Sequence, residues 1–211
     1  LFPPSQDHKP VFEDDQGPNT GGMGTVAPLP WIDQKQMDEI AEIIVKPALS
    51  GLNALGAPFV GLLYPGLMFL ADKSARYYRN TAARPFMGKI KVLEFNARFG
   101  DPECESYMRL LKTDLLDLVE SCINGTLQDQ VIEWCPGFAC CIMLASGGYP
   151  GKYQKGFEIS GIAEAEKIPG VKVFHAGTEI RDGKPVTSGG RVLGGTATGE
   201  NLSQALRLAY Q

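Results

Sequence analysis

VLEFNARFGDPE, Val92 to Glu103, reads as a buried strand that runs into a turn and then starts a helix. Val92, Leu93 and Phe95 favour extended backbone. Side chains alternate along a strand, so Glu94 and Asn96 share one face while Leu93 and Phe95 pack on the other. A carboxylate and an amide oxygen two residues apart are hard donors. They suit Mg²⁺, which takes one or two protein oxygens and completes its shell with water and phosphate. Arg98 follows on that face if the strand continues, and Asp101 is placed to cap the next helix, with Pro102 at its first position. Glu-x-Asn alone fits equally well an edge strand with polar residues facing solvent. Followed by Arg-Phe-Gly-Asp-Pro-Glu, it is far more specific.

Outward from this strand, Gly17-Pro-Asn-Thr-Gly-Gly-Met-Gly24 is glycine-rich without being a P-loop or a G-x-G-x-x-G. Such a run makes either a tight turn or a loop whose backbone amides face a phosphate or carboxylate. Ser5-Gln-Asp-His-Lys9 before it is a compact polar cluster, in which His8 on its own is a loop histidine.

LEFNARFGDPE resembles the metal-binding strand of the ATP-grasp ligases. Its specific form resembles the glycinamide ribonucleotide synthetase (phosphoribosylamine–glycine ligase) family of de novo purine synthesis. SQDHKPVFEDDQGPNTGGMG, SGGYPGKYQKG, FHAGT and TSGGRVL agree with it, in the family's order and over most of the chain. The resemblance implies an α+β chain: the C-terminal lobe of an ATP-grasp fold followed by a small β-rich C-terminal domain. Residues 1–126 would be the second half of the ATP-grasp domain and 136–211 an incomplete C-terminal domain. It implies ligation of glycine to 5-phosphoribosylamine through a glycyl phosphate, with ATP and Mg²⁺ or Mn²⁺.

The same resemblance distributes roles. Glu94 and Asn96 would hold the metal. Arg98 would be a fixed cation for the acceptor carboxylate or the phosphoryl group, and Asp101 would anchor an ammonium or orient Arg98. Asn19, Thr20, Gly21, Gly22, Met23 and Gly24 would offer backbone amides to the substrates, with Asp7, His8 and Lys9 contacting the sugar phosphate. Fusion to other purine-pathway domains is a further implication. Two alternatives stay open: another ATP-grasp carboxylate–amine ligase with a different acceptor, and a non-catalytic fragment inactive without its N-terminal half. The start at Leu1 and the end inside a helical pattern suggest a cut chain.

Bulk properties bound the partners. The 211 residues carry 20 Lys and Arg against 24 acids, a formal net charge of −4, which gives no reason to expect nucleic acid or an anionic membrane surface. No apolar run is long enough to cross a bilayer. Five cysteines, an odd number and without C-x-x-C, read as reduced thiols of a cytoplasmic protein.

The remaining pattern supplies elements. Asp33 is the expected N-cap of an amphipathic helix carrying Met37, Ile40, Ile44 and Leu52, which Pro47 should kink or divide. Phe59 to Leu70 reads as a central strand with a bulge at Pro65-Gly66, and it lacks the carboxylate that many ATP-grasp strands place there. Asp72 to Gly88, basic and aromatic, reads as a surface insertion. One long helix should run from Asp101 to a stop at Gly125, with Tyr107, Leu111, Leu115, Leu118 and Cys122 on its buried stripe. Leu127 to Pro136 is a linker. Phe138 to Ala145 is an apolar strand in which Cys140 and Cys141 pack. Short strands follow around an Asp182-Gly183 hairpin turn, then a helix from Leu202. His175 is read as structural.

Overall fold

The computed structural model describes residues 1–70 and 90–211. The expected insertion at 72–88 lies outside the described residues. The architecture is mixed helix and strand. Strands Gln6–Asp7 (β1), Pro10–Phe12 (β2), Gln16–Asn19 (β3) and Gly24–Ala27 (β4) come first. Asp33 then caps α1, Gln34–Ile40, through a capping box: its carboxylate accepts from the Gln36 amide, and the Gln36 side chain accepts from the Asp33 amide. A π turn, Ala41–Val45, joins α1 to α2, Lys46–Ala54. Pro47 has no N–H and stands in the first turn of α2. The helix is divided there, as expected from the proline.

Next come β5, Tyr64–Phe69, and β6, Ile90–Asn96. Only the second half of the expected 59–70 strand is extended. The bulge is present: Gly66 pairs with Glu94 and Leu67 with Val92, which leaves Leu93 as the extra residue. β5 and β6 form a two-stranded sheet of their own, and Leu93 and Phe95 are 64% and 48% exposed. The expected burial of the 92–96 strand is therefore corrected, because among the described residues this sheet has no third strand. β6 also ends at Asn96, so Arg98 does not continue its face.

The expected long helix is two. Helix α3, Glu103–Leu110, begins after Pro102, which stands at the N-cap with no side-chain cap. Asp101 is thus not the cap; its carboxylate is turned to a guanidinium, a stronger partner than a backbone N–H. Leu111 is extended and bridges Trp134, and Asp114 caps a fresh helix, α4, Leu115–Asn124. Gly125 ends α4 at φ +69°, as the sequence suggested. The expected linker holds a 3₁₀ turn, Leu127–Asp129, before Trp134 packs into the core.

The C-terminal part is β7, Phe138–Ala145; a short helix α5, Ile162–Ala165; β8, Val171–His175; the hairpin β9, Thr178–Arg181, with β10, Lys184–Thr187; β11, Arg191–Gly199; and α6, Leu202–Ala209. Asp182 and Gly183 make the tight turn at φ +51° and +77°. His175 bonds Thr178 through its ring, a local structural role.

The main sheet is antiparallel, in the order β1-β4-β7-β11-β8, and so takes strands from both ends of the chain. β7 is its middle strand and is covered on both faces, which is why FACCIMLA is apolar throughout. On one face Cys140 joins Val26, Leu29, Ile32, Val171, Ala197 and Ala205, packed by α6. On the other, Ala139 joins Ala27, Tyr107 and Leu110 of α3, with Phe2 and Trp134 edge-to-face 4.9 Å apart. All five cysteines are unpaired, and burial pushes the Cys140 thiol up to about 11, as suits packing residues.

Candidate active site

β1 and β4 run antiparallel with Asp7 opposite Thr25, so the polar cluster and the glycine-rich loop fold onto each other. The His8 amide and its Nδ1 both donate to the Gly24 carbonyl, at 3.0 and 3.2 Å. The Thr20 amide and hydroxyl both donate to the Lys9 carbonyl at 2.8 Å. Gly22 N–H donates to Thr20 Oγ1, Met23 N–H to the His8 carbonyl and Gly21 N–H to Tyr149 Oη. These loop amides are already satisfied within the protein. What the loop offers a ligand is a close-packed backbone surface. Asn19 ends β3 with its side chain exposed.

Gly22 is where that packing is tightest. Its φ is +123°, and a Cβ there would lie 2.6 Å from both Asp7 Oδ1 and the Pro102 ring. Only glycine allows this approach. The Asp7 side chain is 8% exposed, and the Lys9 ammonium sits 2.5 Å from Oδ2. Neither carboxylate oxygen has a hydrogen-bond partner among the described residues, so the charge is balanced but not directionally bonded. Lys9 also donates to the Gly21 carbonyl at 3.3 Å.

The segment after β6 meets this loop through Pro102, which packs on Gly22, and through Asp101 by way of Arg191. Glu94 and Asn96 lie on one face of β6, with Gly66 and Tyr64 opposite them on β5. A Cβ on Gly66 would lie 3.2 Å from Glu94 Cγ, so glycine leaves Glu94 its room. No three His, Cys, Asp or Glu side chains among the described residues form a metal cage. The oxygens of exposed Glu94 and half-buried Asn96 are hard donors that would suit a magnesium ion sharing its shell with phosphate oxygens.

Tyr64 donates to Glu103 Oε1 at 2.6 Å, tying the β5–β6 pair to α3. Burial, and then the Glu103 carboxylate, push the Tyr64 hydroxyl well above the usual tyrosine range. Glu103 is 5% exposed, and its Oε2 has no partner among the described residues. Arg98 is exposed and donates to the Phe99 carbonyl at 2.8 Å.

Arg191 joins the parts. It donates to the Gly21, Gly22 and Asp101 carbonyls at 3.2, 3.3 and 2.9 Å and meets both Asp101 carboxylate oxygens at 3.0 Å. Beside it, burial raises the Glu105 carboxyl above its usual range, Asp101 adds to that, and Arg191 opposes it. Arg191, Tyr149, Tyr64, Glu103 and Glu105 were given no site role by the sequence reading. Arg191 and Tyr149 stand inside TSGGRVL and SGGYPGKYQKG, so a signal existed, but contacts 170 and 128 residues apart do not show in a linear pattern.

Residues 1–104 match the ATP-grasp (A) domain of phosphoribosylglycinamide synthetase, and residues 139–211 match its C domain. The chain belongs to the phosphoribosylglycinamide synthetase family. Within that family, a phosphoribosylamine–glycine ligase of Caldanaerobacter subterraneus is 46% identical over 98% of this chain and 45% of its own length. The human trifunctional purine biosynthetic protein adenosine-3 is 43% identical over 99% of this chain and 19% of its own. The crystal structure of phosphoribosylamine–glycine ligase from Thermotoga maritima superposes with a TM-score of 0.79 at 34% identity, covering 99% of this chain and 47% of that one. The chain thus spans about half the length of the single-function synthetase relatives it matches. No helix among the described residues is long and apolar enough to cross a membrane.

Proposed function

We propose that this chain supplies the metal strand and the acceptor side of a phosphoribosylamine–glycine ligase acting in the cytoplasm. In that reaction a glycine carboxylate oxygen takes the γ-phosphoryl group of ATP, releasing ADP. The amine of 5-phosphoribosylamine then attacks the acyl carbon, its N–H proton is lost, and phosphate leaves as the amide forms. A carboxylate is a poor electrophile, and the phosphoryl group gives it a leaving group. The observation that carries the reading is that Pro102, just past the Glu94 and Asn96 strand, packs on Gly22, while Arg191 joins the Gly21 and Gly22 carbonyls to Asp101.

Glu94 and Asn96 would hold Mg²⁺, or Mn²⁺ in its place, which when bound neutralises charge on the phosphate oxygens. Arg98, with its guanidinium exposed, binds the acceptor carboxylate or the phosphoryl oxygens. Asp101 binds the substrate ammonium, since half of its surface stays open beside Arg191. Asp7 and Lys9, His8 and the loop from Asn19 to Gly24 wall the sugar phosphate, Lys9 supplying the positive charge. The purine-pathway fusions named among the relatives support a larger multifunctional parent for this chain.

The test is Glu94→Ala in the full-length protein. We expect Mg²⁺-dependent glycinamide ribonucleotide formation to fall by at least about a hundredfold with the melting temperature unchanged; an unchanged rate would remove the metal role. A screen of amine acceptors coupled to ADP release separates this ligase from one with another acceptor. Because the chain spans under half of those relatives, the 211 residues alone are expected to turn over no ATP.

A further inference from the structure

We propose that Arg191 and Tyr149 are positioning residues that clamp the Gly21–Gly22 turn against Asp101 and thereby set the acceptor side of the site. The proposal rests on the ligase reading above for its kinetic consequence, though not for the clamp itself. Both residues come from the C-terminal part of the chain, and the turn comes from its start. Tyr149 Oη accepts the Gly21 N–H at 3.1 Å, while Arg191 Nη1 donates to the Gly21 and Gly22 carbonyls. The turn is therefore gripped on its amide side and on its carbonyl side by two side chains of one neighbouring surface.

The geometry is specific to these residue types. A Cβ on Gly21 would lie 2.9 Å from Arg191 Cζ, so the guanidinium rests on bare backbone. A Cβ on Gly190 would lie 2.3 Å from Tyr149 Cδ2, so the tyrosine ring rests on the glycine that precedes Arg191. Two glycines thus make the seats for the two clamps. Arg191 is 19% exposed on its side chain and Asp101 57%. The more enclosed partner, Arg191, is held by three backbone carbonyls as well as by the open carboxylate. A planar fork can hold two carboxylate oxygens and reach carbonyls at once, whereas a lysine ammonium is a single point of charge on a flexible stem.

Asp101 and the loop are the acceptor elements in the ligase reading. Glu94 and Asn96 are not touched by either clamp. Loosening the clamp should therefore act on glycine and phosphoribosylamine and spare the nucleotide.

The experiment uses the full-length protein with Arg191→Gln, Arg191→Lys, Tyr149→Phe and Asp101→Asn. The readouts are KM and kcat for each substrate, and amide hydrogen exchange of the peptide spanning Thr20 to Gly24. Arg191→Gln is expected to raise KM for an acceptor by about tenfold or more while KM for ATP stays within about twofold. Arg191→Lys should recover part of that loss, by keeping the charge against Asp101. In an Asp101→Asn background the effect of Arg191→Gln should shrink, because the two act as one unit. Both Arg191→Gln and Tyr149→Phe should speed exchange at the loop.

Unchanged loop exchange in both variants overturns the clamp. Equal losses for ATP and the acceptors, with no coupling to Asp101, overturn the positioning role in favour of a merely structural one. If the unsubstituted protein makes no glycinamide product, the ligase reading fails. Loop exchange then decides the clamp alone: faster exchange upholds it, and unchanged exchange overturns it.

Discussion

Glu105 shows how a single side chain records the charge balance of this site. Its carboxyl is held above the ordinary range mainly by burial, and Oε2 has no hydrogen-bond partner among the described residues. A carboxyl raised in the folded state is favoured while protonated, so its contribution is full below the unfolded glutamate range. That contribution is lost as pH rises through the folded value. Glu105→Gln should therefore melt higher than the unsubstituted chain at neutral pH. The difference should vanish in acid, as read by thermal unfolding across a pH series. Tyr64 makes the complementary case. Its hydroxyl satisfies one oxygen of the buried Glu103, and Tyr64→Phe leaves that oxygen bare. The expected cost is about 1–3 kcal/mol, measured as a lowered denaturation midpoint. Neither pairing is visible from residue identity. Glu103 in sequence is simply an acid near a helix start, where it would suit the dipole whatever lay opposite.

At the scale of elements, local chemistry predicted best where an element answers only to itself. Asp33, Gln36 and Pro47 specify a capped and divided helix, and the structure has both features. Asp33→Ala should cost about 1 kcal/mol, seen as a small drop in melting temperature with α-helical circular dichroism otherwise retained. Phe138 to Ala145 was legible for the same reason, since a run apolar on both faces belongs in the middle of a sheet. Asp101 was misread because a rule for caps competed with a partner ninety positions away, and the bidentate guanidinium won. The break at Leu111 was misread because the apolar stripe continues across it. What stops the helix is the bridge to Trp134, a tertiary contact.

The whole molecule is organised by one sheet whose strands come from residues 6–27 and from 138–199. Each of its faces has a core built from both ranges. The described body should accordingly unfold in a single transition, with far-ultraviolet and near-ultraviolet signals coincident; two resolved transitions would contradict a shared core. The β5–β6 pair stands apart from that sheet and attaches through Tyr64 and through Phe69 against the core. Its exposed Leu93, Phe95 and Met68 explain why a strand that reads as buried is not covered by the described residues.

From the amino acids alone came the capped helix after Asp33, the apolar strand Phe138 to Ala145, the two oxygen donors on one strand face, the glycine loop and the family resemblance. These depend on alternation, capping and turn chemistry among near neighbours. Folding in three dimensions decided which charges meet. Arg191 reaches back to Gly21 and Asp101, Tyr149 takes the Gly21 amide, and Asp7 is buried under Gly22. Partners so far apart along the chain leave no periodic trace, because their distance is set by sheet register and not by sequence spacing.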